Sequence, residues 1–270
     1  MKEHIFIDGE RANDSMPLRT LFYGEGVFES FRYRHGLPVL FDKHMDRMEK
    51  GADLLKIPLP KKEYISELVN KAISNSKVGD AYVKICLLSN GKSAFYEAAN
   101  SSQVLVIINK YSPPSPFAKL KVNFFRTMSE SPLRAVKSMN YLDNMLARRE
   151  AMASGFDEAL FVNEREEIVE CSASNIFWFK DKTLYTPSEE CGCLPGTTRD
   201  LILHLVNSYN LQIKKGRFLL QDLTTAEYAF VANSLIGCVP VSEIDGSFFN
   251  ADHESFNMIK NALLQKLEWL

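Results

Sequence analysis

Lys137, Glu170 and the pair Thr197-Thr198 are the residues of this chain whose types and spacing point most directly to chemistry. Lys137 lies in Val136-Lys137-Ser138-Met139-Asn140-Tyr141. Glu170 opens Glu170-Cys171-Ser172-Ala173-Ser174-Asn175 at the end of a β-rich run. The threonines lie in Leu194-Pro195-Gly196-Thr197-Thr198-Arg199-Asp200, where a helix begins. An amine condenses with aldehydes, an acid pairs with a protonated ring nitrogen, and hydroxyls opening a helix meet a phosphate. Lysines are mostly solvated surface charges; one buried beside an aldehyde loses hydration and becomes a nucleophile.

The elements that must position these groups are legible from periodicity. Ile5-Phe6-Ile7 runs into Asp8-Gly9, a hairpin turn. Val27–Tyr33 alternates as a strand, and His35-Gly36 turns it towards Pro38-Val39-Leu40-Phe41. Asp42 is placed to cap a helix with Met45, Met48, Ala52 and Leu55 on its apolar face. A second helix spans Lys62–Ser76, with Ile65, Leu68, Val69 and Ala72 on one side. Strands follow at Tyr82–Leu88 and Val104–Ile108, separated by the polar loop around Ser89–Ser93. Ser112-Pro113-Pro114-Ser115-Pro116 is a stiff connector, because proline fixes φ and restricts its predecessor. It predicts a domain of residues 1–112, a connector of 113–120 and a second domain of 121–270.

In the second half the pattern predicts a strand near Val122–Phe125 and a helix over Asn140–Ser154. That helix is favoured by Leu142, Met145, Leu146 and Ala151 and stopped by Gly155. Strands are expected at Glu158–Val162, Ile176–Phe179, Thr183–Tyr185 and Tyr228–Ala232. Thr198–Val206 and Glu254–Leu267 read as helices, the latter on Phe256, Ile259, Leu263, Leu264 and Leu267.

A chain of 270 residues can bury a large core. With 32 basic against 34 acidic side chains it has no general attraction for nucleic acid. The opening Met1–Asp8 carries acid early and develops no signal-length apolar run, and no stretch reaches the roughly 20 apolar residues of a membrane span. Cys86, Cys171, Cys191, Cys193 and Cys238 form an odd, scattered set, which reads as reduced thiols in a cytoplasmic protein. Cys191-Gly192-Cys193 lacks a second nearby pair, so no metal is expected.

The chain resembles, nearly end to end, the class IV (fold type IV) pyridoxal 5′-phosphate (PLP) enzymes. These include branched-chain aminotransferases, D-amino acid aminotransferases and aminodeoxychorismate lyases. The resemblance rests on Phe22-Tyr23-Gly24-Glu25-Gly26-Val27-Phe28-Glu29, His44-Met45-Asp46-Arg47-Met48, Lys137–Leu142, Asp157-Glu158-Ala159-Leu160, Val169-Glu170 with Ser174–Phe177, Gly196–Arg199, and Pro240-Val241. Each motif is weak alone; their ordered succession is specific.

The resemblance implies two α/β domains, the smaller N-terminal, with PLP in the cleft between them, and a homodimer. Lys137 matches the lysine that carries the cofactor and shuttles protons, and Glu170 the carboxylate on the ring nitrogen. Arg47, Thr197, Thr198 and Ser234 match phosphate ligands, and Tyr141 a tyrosine beside the cofactor. A plain surface arginine, a plain N-cap or a core tyrosine is the bland alternative for Arg47, Thr198 and Tyr141 in turn.

The substrate side divides the family. Phe28-Glu29-Ser30-Phe31-Arg32 is similar to a branched-chain aminotransferase segment and points to Arg32 as a substrate ligand, with a structural salt bridge as its alternative. The Arg-x-His trap of D-amino acid enzymes has no counterpart in Leu87–Lys92. Asn233-Ser234-Leu235 and Glu170–Trp178 most resemble aminodeoxychorismate lyases, where Lys84 and Lys92 could meet a dicarboxylate. The expected activity is therefore release of pyruvate and 4-aminobenzoate from 4-amino-4-deoxychorismate, with a branched-chain or related aminotransferase as the alternative.

Overall fold

A computed structural model describes residues 4–11, 13, 15–209, 211–250 and 252–270. Met1–Glu3, part of the N-terminal segment weighed above, lie outside them. The chain divides into two compact units: Met1–Leu37, Asp42–Lys110 and Val136–Tyr141 in the first, and Pro38–Phe41, Tyr111–Ala135 and Leu142–Leu270 in the second.

Unit 1 starts with the hairpin β1 (Phe6–Ile7) and β2 (Glu10–Arg11), turned by Asp8 and Gly9 at positive φ. Helix α1 (Leu18–Tyr23) precedes β3 (Gly26–Arg34); α2 (Phe41–Leu55) and α3 (Lys62–Ser76) follow, then β4 (Asp80–Asn90) and β5 (Ser101–Lys110). The three long strands form an antiparallel sheet in the order β3-β4-β5. Alternation puts Val27, Glu29 and Phe31 on one face, and Phe28, Ser30 and Arg32 on the other. Helix α2 presses on the first face so closely that a side-chain carbon at Gly51 would meet Val27 at 2.8 Å. It starts at Phe41, one residue before the expected cap, and Asp42 pairs with Lys62 instead.

Val136–Tyr141 packs with unit 1, although the proline-rich connector suggested a second-domain position for it. The physical reason is backbone pairing. Phe28 N–H donates to Lys137 O and Met139 N–H donates to Gly26 O, each at 2.8 Å, around an antiparallel bridge between Val27 and Ser138. Gly26 permits this approach: an added side-chain carbon would lie 2.9 Å from Met139.

Unit 2 contains β6 (Ala118–Val122), α4 (Leu142–Ala153), β7 (Glu158–Val162), β8 (Ile168–Cys171), β9 (Asn175–Lys180), β10 (Thr183–Pro187), α5 (Thr197–Ser208), β11 (Gln212–Gly216), α6 (Leu220–Thr224), β12 (Tyr228–Asn233), β13 (Gly237–Ile244), β14 (Ser247–Phe248) and α7 (Glu254–Lys266). Its mixed sheet runs β11-β10-β9-β12-β13-β6-β7-β8, with β14 on β13. Both faces are covered, so the central strands are almost wholly apolar. Phe177, Phe179, Tyr228 and Phe230 pack with Ile202 and Val206 of α5 and Phe256, Ile259 and Leu263 of α7. Ile176, Trp178, Ala229 and Val231 face the opposite core. The strand expected near Val122–Phe125 lies at Ala118–Val122, where it pairs in parallel with both β13 and β7. Helix α4 buries Asn144, Ala147 and Ala151, while Leu142, Met145 and Leu146 are exposed. The small residues, rather than the large apolar ones, fit against Ala159 and Phe161 of β7.

Candidate active site

Unit 1 gathers cations and rings on the Phe28 face of its sheet. Lys137 Nζ stands 4.4 Å from the Phe28 ring centroid and 5.3 Å from that of Tyr141, and the two rings meet edge to face at 5.2 Å. Lys84 Nζ lies 4.2 Å from the same Phe28 ring. Lys84 pairs across the sheet with Ser30, and Tyr82, which hydrogen-bonds Ser30, is two residues before it on the same face. Lys137, Tyr141 and Lys84 are thereby brought together in a partly apolar setting that suits an amine nucleophile.

Arg47 lies on the opposite face. His44 and Arg47, one helical turn apart, share the buried side of α2 and close on Glu29 of β3. Arg47 donates from Nε to Glu29 Oε1 at 2.7 Å and from Nη2 to Oε2 at 2.6 Å; His44 Nδ1 meets Oε2 at 2.6 Å. Burial pushes the Glu29 carboxyl up, but the charge and bonds of Arg47, with His44, outweigh it and hold it at about 2. Glu29 thus fixes the guanidinium plane through its Nε–Nη2 edge, a geometry that arginine matches to carboxylates. Sequence reasoning marked Arg47 but assigned no task to Glu29 or His44, although both stood in the quoted motifs.

Arg32 and Lys92 have protein partners. Arg32 forms a two-bond pair with Asp80, at 2.8 and 2.5 Å, whose carboxyl is lowered chiefly by that hydrogen bonding. Lys92 bonds Glu97 at 3.1 Å with both side chains at least a third exposed.

In unit 2, Glu170 is buried and its oxygens accept from Arg134, Asn175 and the Leu194 backbone. Arg134 Nη2 reaches Oε1 at 3.3 Å, while Asn175 Nδ2 and Leu194 N–H reach Oε2 at 3.3 and 3.0 Å. Arg134 also donates Nε to Gly192 O at 2.9 Å, tying the acid to the Cys191-Gly192-Cys193 turn. The five cysteines are free, buried thiols; burial pushes Cys193 up to about 12.

The same turn leads through Gly196 into α5. A side-chain carbon at Gly196 would overlap Asn175 Oδ1, so glycine allows β9 and the helix N-terminus to meet. Thr197 and Thr198 are buried in the first turn of this 12-residue helix. Thr198 Oγ1 is buried with no hydrogen-bond partner, a costly state that an incoming anion relieves. Ser234 directly follows β12, two residues past Ala232, which pairs with Asn175 of β9. Its turn is shaped by Asn233, whose Oδ1 accepts Leu235 and Ile236 N–H at 2.8 and 2.9 Å. Within unit 2, a hydroxyl-lined helix N-terminus and a fixed carboxylate suit a phosphate group and a basic ring nitrogen; within unit 1, a lysine among rings suits an aldehyde.

Comparison with known proteins agrees with these features. The family Amino-transferase class IV matches residues 26–244. Aminodeoxychorismate lyase of Bacillus subtilis (strain 168) is 34% identical over 230 residues, 83% of this chain and 78% of that protein. A proposed branched-chain-amino-acid aminotransferase of Methanocaldococcus jannaschii is 30% identical over 251 residues, 91% of this chain and 87% of that protein. The solved structure of a proposed 4-amino-4-deoxychorismate lyase from Legionella pneumophila superposes with a TM-score of 0.89 at 26% identity, covering 98% of this chain and 100% of that one. The architecture is the α/β arrangement of fold type IV enzymes. The chain is a member of the class IV amino-transferase family of enzymes.

Proposed function

We propose that the chain is a PLP-dependent 4-amino-4-deoxychorismate lyase, releasing pyruvate and 4-aminobenzoate. PLP supplies an aldehyde and an electron sink when bound; pyridoxamine 5′-phosphate, its amino form, is held by a solved aminotransferase of this fold. Lys137 is the residue that would hold the cofactor, and its amine would take the proton from the substrate ring carbon bearing the amino group. Glu170 would hold the proton on the ring nitrogen, and Tyr141 flanks the lysine. Thr197, Thr198 and Ser234 would hold the phosphate through their hydroxyls, and Arg47, oriented by Glu29, would be its cationic ligand. Breaking the enolpyruvyl C–O bond, with a proton delivered to the departing group, gives pyruvate and leaves an aromatic ring.

The observation that carries the choice of lyase is Lys84, whose ammonium shares the Phe28 ring with Lys137. A cation there suits a substrate with two carboxylates. The pairing of Arg32 with Asp80 weakens the main sequence argument for a branched-chain substrate. Holoenzyme mixed with aminodeoxychorismate, and separately with branched-chain amino acids, tests the reading through cofactor absorbance, pyruvate and 4-aminobenzoate. Formation of 4-aminobenzoate with pyruvate is expected. Rapid conversion to the pyridoxamine form without 4-aminobenzoate would instead establish the aminotransferase, the reading that the Methanocaldococcus relative favours.

The chain is also read as a homodimer. Support comes from an apolar stripe of Leu142, Met145, Leu146 and Met152, all exposed along α4.

A further inference from the structure

Asp157 precedes β7 and Glu158 opens it, and the two differ in what they touch. Asp157 Oδ2 accepts Lys119 N–H at 2.8 Å near the surface. Glu158 is buried and accepts from Ala173 N–H at 2.5 Å, Ser174 Oγ at 3.0 Å and Ser172 Oγ at 3.3 Å. Its cation, Arg148, stands 3.9 Å away with its side chain 45% exposed. Burial pushes the Glu158 carboxyl up, countered only in part by Arg148 and these donors. An incompletely compensated buried carboxylate costs the fold stability, so its presence suggests that a local geometry depends on it.

That geometry is the Ser172–Ser174 turn, which Glu170 and Asn175 flank. Cys171 N–H donates to Ser174 O at 2.7 Å, Ser172 N–H to Ala159 O at 2.8 Å, and Asn144 Nδ2 to Ser172 O at 2.8 Å. From the other side Asn233 Nδ2 donates to Ala173 O at 3.0 Å and to Ser174 Oγ at 3.2 Å, while its Oδ1 shapes the turn bearing Ser234. Glu158 therefore stands behind one turn that adjoins both Glu170 and Ser234.

We propose that Glu158 is a positioning residue whose carboxylate fixes the Ser172–Ser174 turn and, through it, sets Glu170 and Ser234 against the cofactor. This rests on the PLP reading above. The test uses holoenzyme of wild type, Glu158→Ala and Glu158→Gln, measuring PLP affinity, the pH midpoint of the visible cofactor absorbance and the thermal midpoint of unfolding. Glu158→Ala should weaken PLP binding about tenfold and move the absorbance midpoint by about half a pH unit or more. Glu158→Gln keeps an acceptor oxygen for Ala173 N–H and should recover most of both. A folded Glu158→Ala with unchanged affinity and midpoint, whatever its thermal stability, overturns the proposal. Should Glu158→Ala not fold, Ser174→Ala removes one of the three donors; a smaller shift in the same direction supports the proposal, and no shift overturns it. A wild-type protein that binds no PLP would sink the functional reading instead.

Discussion

Lys137 and Arg47 answer to opposite faces of the same strand, β3, one over Phe28 and the other closed on Glu29. Lys137→Ala should reduce product formation by about a thousandfold or more, and abolish the PLP adduct that borohydride fixes to the wild-type chain. Product formation retained within tenfold of wild type would remove Lys137 from the chemistry. Glu29 makes a claim about stability. Its carboxyl is depressed from 4.5 to about 2, so its contribution is complete above about 4.5 and is lost as pH falls through 2. Glu29→Gln should cost about 3–5 kcal/mol at pH 7, because the buried Arg47 loses the carboxylate charge that its Nε–Nη2 edge grips. Urea unfolding of the two proteins at pH 7 measures this, and a loss below 1 kcal/mol would contradict a tight buried pair. Arg32 was legible as a candidate, but a sequence does not reveal that Asp80 lies diagonally across the sheet. Arg32→Ala should leave kcat/KM within about twofold and cost at most ~1 kcal/mol, since Asp80 is partly solvated. A large rise in KM in the folded variant would restore it as a substrate ligand.

The helices and strands show which local signals survive folding. Lys62–Ser76 and Glu158–Val162 fall where their patterns place them, the first because its apolar residues recur at helical spacing on one packed side, the second because it is a short run buried on both faces. Helix α4 lies inside the expected Asn140–Ser154 span but is shorter, and the wrong side of it looks apolar. Its contact with β7 is set by how closely backbones approach, which selects Ala147 and Ala151 over the leucines. The β9–α5 junction gives two predictions. Gly196→Ala should destabilise by about 1–3 kcal/mol, measured by chemical unfolding, because its side chain would displace Asn175 and disturb the Glu170 donors. Thr198→Val keeps the shape but removes the unpartnered hydroxyl. Stability without cofactor should hold or rise slightly, while PLP affinity falls about 5–10-fold. Unchanged affinity would take Thr198 out of the phosphate site.

At the scale of the molecule, assembly is the open quantity with a direct measurement. Sedimentation at micromolar protein with PLP should give twice the chain mass, and Leu146→Glu should shift the population to monomer if the α4 stripe is the contact. A wild-type monomer would refute the homodimer. The sequence by itself determined the α/β class, most element positions, and Lys137, Glu170 and the threonine turn as candidate chemistry. Those are encoded by short-range periodicity and by motif order, which act along the chain. Tertiary structure alone decided that Val136–Tyr141 joins the first unit, through backbone bonds to β3 from more than a hundred residues away. It also decided that Glu29 holds Arg47, that Arg32 is paired with Asp80, and that Glu158 stands behind the Ser172–Ser174 turn. Such pairings depend on strand register and on which helix face reaches the sheet, and neither is written in the spacing of the residues concerned.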